Sequence, residues 1–144
     1  MIAYFDTSAL IPLVIEEPGS ALAGRIWDAA AHVTSVRLVY AEARAALAQA
    51  TRLGRLGSDD LATATDALGG LYHQLDLLEI DDTLVRHAGD LAQHHALRGY
   101  DAVHLAAAER VRSDTTILVA GDHDLCTAAG QLGIAVASTI SDEG

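Results

Sequence analysis

Two short apolar runs, each closing on an acidic residue where a helix is due to begin, constrain this chain more than any other feature. Ile2 to Phe5 is rich in strand formers, and Asp6-Thr7-Ser8 then offers side-chain oxygens that can cap a helix beginning at Ala9. Thr115 to Gly121 has the same buried character and ends in Asp122-His123-Asp124, ahead of a short helical stretch from Leu125 to Leu132. In a parallel sheet, strand ends and helix N-termini converge on one edge while the packed layers stay apolar, and ligands bind at that edge. Asp6 and Asp122 are therefore expected side by side.

The rest of the chain alternates in the same way. Pro18 and Gly19 break a first helix from a second over Ala21 to Ala31, and His32 to Thr34 is a candidate strand. Ser35 is then placed to cap a long helix ended by Gly54, on which Val36, Tyr40, Ala43, Leu47 and Ala50 share one face and Glu42 lies on its border. Further helices are expected from Leu61 to about Leu75, with Gly69-Gly70 as a weak point, from Asp81-Asp82 through Leu97 with Gly99 closing it, and from Ala102 to Val111. On the last of these, Val103, Ala106, Ala107 and Arg110 form the packing face. Leu77 to Ile80 and Ile134 to Ser138 are further candidate strands. Strands alternating with helices predict an α/β fold with a mainly parallel central sheet, in a single domain spanning residues 1–144.

Composition removes several function classes. The net charge of −11 opposes bulk attraction to nucleic acid or anionic membranes. All nine basic residues are arginine, so the P-loop enzymes, protein kinases and Schiff-base mechanisms, which need a lysine, are excluded. Arginine's planar fork still allows bidentate phosphate contact. The single cysteine, Cys126, suits a reducing compartment, and no apolar run is long enough to span a membrane, so a soluble cytoplasmic protein is expected.

Asp6, Asp101 and Asp122 each read singly as helix caps and Glu42 as a solvated helix residue. Jointly, carboxylates without cysteine or lysine suit a hard divalent cation held through oxygen, Mg²⁺ or Mn²⁺ rather than Zn²⁺. The histidines His94, His95, His104 and His123 could alternatively be assembled into a transition-metal site, but adjacent His94 and His95 point about 100° apart on a helix.

The segments FDTSALIPLVIEEPGS, YAEARAAL, GYDAVHLAAAE and ILVAGDHDL, in that order and spacing, resemble the PIN-domain nucleases and above all the VapC toxins of bacterial toxin–antitoxin pairs. The resemblance implies a three-layer α/β/α fold and a metal-dependent endoribonuclease with an acidic quartet of Asp6, Glu42, Asp101 and Asp122. It also implies a VapB-type antitoxin as partner and a toxin homodimer. Thr7 or Ser8 is placed to contribute a hydroxyl to the site, Arg98 to contact substrate phosphate, and Asp124 to act as an additional or substitute ligand. Two departures stand out: Ala120 where relatives often carry a hydroxyl residue, and Pro12 where many carry lysine. His104 falls where the family often has a histidine beside the helix core. Two other readings remain at this stage, an inactive PIN-like binding module and a metal-dependent phosphatase of different fold.

Overall fold

Every strand pairing in the computed structural model is parallel, and residues 1–140 are described. The elements run β1 (Ile2–Phe5), α1 (Thr7–Leu10), a tight 3₁₀ turn at Ile11–Leu13, α2 (Ser20–Ala29), β2 (His32–Val36), α3 (Val39–Arg52), α4 (Ser58–Gln74) and β3 (Asp76–Leu78). They continue with α5 (Asp82–His95), α6 (Gly99–Arg110), β4 (Thr116–Ala120), α7 (His123–Gln131) and β5 (Ala135–Ser138). The sheet order is β3-β2-β1-β4-β5. The chain thus builds outward from β1 on one side, then returns to place β4 against its other side. That reversal makes the ends of β1 and β4 a topological switch point, where a crevice opens because the two connections leave in opposite directions.

The core divides by sheet face, as the period-two alternation of strands requires. Tyr4, Val36, Leu118 and Ala120 point toward α5, α6 and α7 and join Leu84, Leu91, Leu105 and Leu125. Ala3, Phe5 and Val119 point the other way, onto Ala9, Ala23 and Trp27 of α1 and α2. Leu10 continues that layer into α3 and α4 through Val39, Leu47 and Leu68. The result is the expected three-layer α/β/α fold. No helix among the described residues is long and apolar enough to cross a membrane.

Several element boundaries differ from the sequence expectation. Ser35 does not cap a helix: it lies inside β2, which runs on to Val36, and its hydroxyl donates to the Phe5 carbonyl at 2.7 Å. Pairing with β1 and β3 outweighs the local capping preference, and α3 starts at Val39 with no side-chain cap. Gly69 and Gly70 lie within an uninterrupted α4. Helix α6 is buried almost all round, through Ala102, His104, Leu105, Ala106, Ala107 and Ala108, whereas Arg110 faces solvent and pairs with Asp81 at 3.0 Å. Pro12 is accommodated in the first positions of the 3₁₀ turn, where a missing N–H costs nothing.

Helix α5 ends earlier than expected, and not at Gly99, which instead opens α6. The left-handed terminal position falls on Ala96, with φ of 53°, and Leu97 N–H closes the turn on the Ala92 carbonyl at 3.1 Å. A β-carbon in this region costs about 1–2 kcal/mol, part of which is offset by the lower chain entropy of alanine when unfolded. Ala96→Gly is therefore expected to stabilise the protein by about 0.5–1 kcal/mol in urea denaturation. An unchanged or lower midpoint would contradict the left-handed assignment.

Candidate active site

Asp6 and Asp122 stand one residue and two residues beyond β1 and β4, and each caps the helix that follows. Asp6 Oδ1 accepts from Ala9 N–H at 3.2 Å, and Asp122 Oδ1 accepts from Leu125 N–H at 2.9 Å. The capping and the cleft-lining roles are thus compatible, because a carboxylate has two oxygens. Asp101 is not a cap: Arg98 occupies that position, and Asp101 lies in the first turn of α6. Glu42 lies in the first turn of α3, one position before buried Ala43, which turns its carboxylate to the border of the packed face.

These four acids converge on one cleft of about 340 Å³, lined also by Thr7, Ser8, Arg98, Tyr100 and His104. Arg98 spans it, donating from Nε to Asp101 Oδ2 at 2.9 Å and from Nη2 to Asp122 Oδ2 at 3.1 Å. Asp124 is not among the residues lining the cleft; it follows in the first turn of α7, where its charge complements the helix dipole. Arg44 lies outside as well, with its guanidinium on the Tyr40 hydroxyl at 2.9 Å.

The PIN domain family model matches residues 3–131. Ribonuclease VapC45 of Mycobacterium tuberculosis is 41% identical over 136 residues, covering 94% of each chain. This chain belongs to the PIN domain family, among its VapC-type members. Solved structures of the same fold include PAE2754 from Pyrobaculum aerophilum, with a TM-score of 0.70 at 24% identity over 94% of this chain and 83% of that one. A toxin–antitoxin complex from Klebsiella pneumoniae matches with a TM-score of 0.67 at 18% identity over 96% and 98%. Family membership sets aside the phosphatase of different fold.

In this PIN domain Asp6 and Glu42 are held by different devices. The Ser8 hydroxyl donates to Asp6, lying 2.7 and 2.9 Å from its two oxygens, and accepts from Gly121 N–H at 2.8 Å, which ties the end of β1 to the end of β4. A β-carbon at Gly121 would come within 2.8 Å of the Thr139 hydroxyl, so a larger residue there would force Thr139 to move. Glu42 Oε1 lies 3.0 Å from Nε2 of His104, whose Nδ1 lies 2.8 Å from the Tyr4 hydroxyl. Thr7 Oγ1 is 3.4 Å from the same Nε2.

Sequence reasoning missed this Tyr4–His104–Glu42 relay. One signal for it existed: His104 is three residues after Asp101, hence on the same face of α6. Nothing local marks Tyr4, which is 100 residues away. Tyr100, 61% exposed at the cleft rim, was also missed. The other histidines form no ligand set among the described residues: the His94 and His95 rings pack edge to face at 4.8 Å, His95 pairs with Gln131 at 3.1 Å and His87 with Glu109 at 2.8 Å.

As the side chains stand, no three acidic, histidine or cysteine groups among the described residues are drawn tightly enough to hold a metal ion. Ser8, His104 and Arg98 instead hydrogen-bond to the carboxylate oxygens of Asp6, Glu42, Asp101 and Asp122. The donor set nonetheless fits a hard divalent cation. It consists of carboxylate oxygens, and a positive group already lies between Asp101 and Asp122.

Burial pushes the Asp6 carboxyl up to about 6, against the lowering influence of His104, Ser8 and the Ala9 N–H. For His104, burial lowers the pKa, but the Glu42 hydrogen bond and the charges of Asp6, Glu42 and Asp101 outweigh it and leave the imidazole above its ordinary value. Both shifts mean that the folded state holds protons the unfolded chain releases. Stability of the metal-free protein therefore falls as pH rises, through Asp6 between about 4 and 6 and through His104 above about 6.5. Asp6→Asn keeps a capping oxygen and removes the first of these contributions. It is expected to raise metal-free stability at pH 7 by on the order of 2 kcal/mol and to flatten the profile between pH 4 and 6. Urea denaturation across pH in the presence of chelator measures both, and a variant with wild-type slope would refute the assignment.

Proposed function

We propose that this PIN domain is a metal-dependent endoribonuclease and the toxin of a toxin–antitoxin pair. The observation that carries the reading is the convergence of Asp6, Glu42, Asp101 and Asp122 on one cleft at the switch point between β1 and β4. The ribonuclease name of a relative 41% identical over 94% of both chains supports RNA as the substrate.

Asp6, Asp101 and Asp122 would hold Mg²⁺, or Mn²⁺ in its place, with Glu42 completing the ligand set. Bound there, the cation supplies Lewis-acid activation of water and neutralises charge developing at the phosphate. The remaining work belongs to the chain. Ser8 locks the Asp6 carboxylate in a dry position, 3% exposed, where its charge is little screened. His104 keeps the Glu42 carboxylate turned into the cleft. Arg98, at the open rim, is the group placed to grip a substrate phosphate through its planar fork. With a net charge of −11, the protein gains little from bulk attraction, so recognition rests on RNA shape and exposed loop bases.

The partner is a VapB-type antitoxin, a reading supported by the same fold occurring in the Klebsiella pneumoniae toxin–antitoxin complex. A cleft this acidic attracts an arginine or lysine from a partner peptide. The toxin itself is proposed to be a two-fold dimer.

Two outcomes follow. RNA cleavage requires Mg²⁺ or Mn²⁺, stops on chelation, and in Asp101→Asn drops by more than the roughly 10- to 100-fold that loss of an outer-shell partner costs, while circular dichroism shows an intact fold. Full activity in that variant would remove the assignment, and no cleavage under any metal would favour an inactive binding module. In light scattering at micromolar concentration the protein is dimeric, and a stoichiometric antitoxin complex does not cleave. A strict monomer, or undiminished cleavage by the verified complex, would defeat those two claims respectively.

A further inference from the structure

Arg98 is in an unusual position for a residue whose only task is to wait for substrate. Its side chain is 79% exposed, yet its guanidinium bridges two carboxylates that come from different helices, Asp101 in α6 and Asp122 at the start of α7. The bridging atoms, Nε and Nη2, lie on one edge of the planar fork, so the two acids are presented to it side by side.

The oxygens involved decide what this means. Asp122 Oδ1 accepts from the Leu125 N–H at 2.9 Å, and Arg98 holds the other oxygen, Oδ2, at 3.1 Å, so both oxygens already carry a hydrogen bond. A cation shared by Asp101 and Asp122 would draw on the same two negative charges, and a second positive group beside the guanidinium is repelled. The guanidinium and a metal ion therefore compete for the charge of this pair.

We infer that Arg98 is a built-in stand-in for the catalytic cation: it neutralises Asp101 and Asp122 in the metal-free protein and has to leave when metal enters. This rests on the metal-dependent reading of the site, and deepens it. Exposed arginine–carboxylate pairs are weak, so the latch is easily displaced by a doubly charged ion. The displaced side chain remains tethered at the N-cap of α6, on the rim of the cleft, where the phosphate of a bound strand provides a new partner. Metal entry thus converts an acid-clamping arginine into a phosphate-binding one. Without metal, Arg98 keeps the acids from repelling one another, and the site is closed to stray cations of low affinity.

The test reads metal binding without RNA. Metal-free wild type, Arg98→Ala and Arg98→Gln are titrated with Mn²⁺ by calorimetry, and thermal unfolding is followed with and without the ion. Because the side chain is exposed, Arg98→Ala is expected to fold; Arg98→Gln, which removes the charge and keeps a donor, serves as the second variant. Both are expected to bind Mn²⁺ about three- to tenfold more tightly than wild type. Both should also melt lower than wild type without metal and gain more from its addition. Unchanged or weaker Mn²⁺ binding in both variants would overturn the inference while leaving the metal site standing. Failure of all three proteins to bind Mn²⁺ would overturn the metal reading itself, and this inference with it.

Discussion

Four carboxylates at the end of an aliphatic sheet repel one another, and much of the surrounding architecture compensates for that repulsion. Asp6, the most buried, is held by the Ser8 hydroxyl and the Ala9 N–H. Glu42 faces a histidine whose pKa is raised by the acids around it, and Asp101 and Asp122 share one guanidinium. The compensating groups come from two regions far apart in sequence, α1 and the N-terminal half of α6 with its cap, so the site and the fold are mutually dependent. The strain of gathering these acids is tolerable only because β1, β4, α3 and α6 are packed firmly behind them.

Helix α6 shows how the packing serves the site. Its run of Ala106, Ala107 and Ala108, all buried, lets the backbone approach the sheet and its neighbours closely, in a chain with few aromatic side chains to fill space. That close approach brings His104 to within 2.8 Å of Tyr4 on β1 and carries Asp101 to the mouth of the same cleft. A bulkier helix would stand off from the sheet and separate the two. The buried tyrosine hydroxyl, costly without a partner, is satisfied by the imidazole that orients Glu42. The same imidazole thus serves the core and the cleft lining.

Electrostatics on two scales pull in opposite directions. The whole molecule carries an excess of negative charge, which disfavours a polyanionic substrate, while the cleft concentrates still more of it. Only a cation at the cleft reverses the local sign. Within the structure the positive group set against these acids is the exposed Arg98 guanidinium.

The sequence by itself determined the strand–acid–helix junctions at Asp6 and Asp122, the α/β class and the convergence of those two acids, because strand propensity, capping chemistry and parallel topology are readable from local residue patterns. Asp101 was legible as a candidate because it lies at a helix start, and Arg98 because it closely precedes Asp101. The register of Ser35 was not, since a serine that caps helices well was claimed by pairing between β1 and β2, a contact between residues 30 positions apart. The left-handed turn at Ala96 was hidden because alanine carries no signal for that conformation. Only the tertiary structure decided that Tyr4 and His104 meet, that Asp124 lies outside the cleft lining, and that Arg98 lies across Asp101 and Asp122. These are contacts between side chains from separate elements. Their distances depend on how helices seat on a sheet, which no local stretch of sequence encodes.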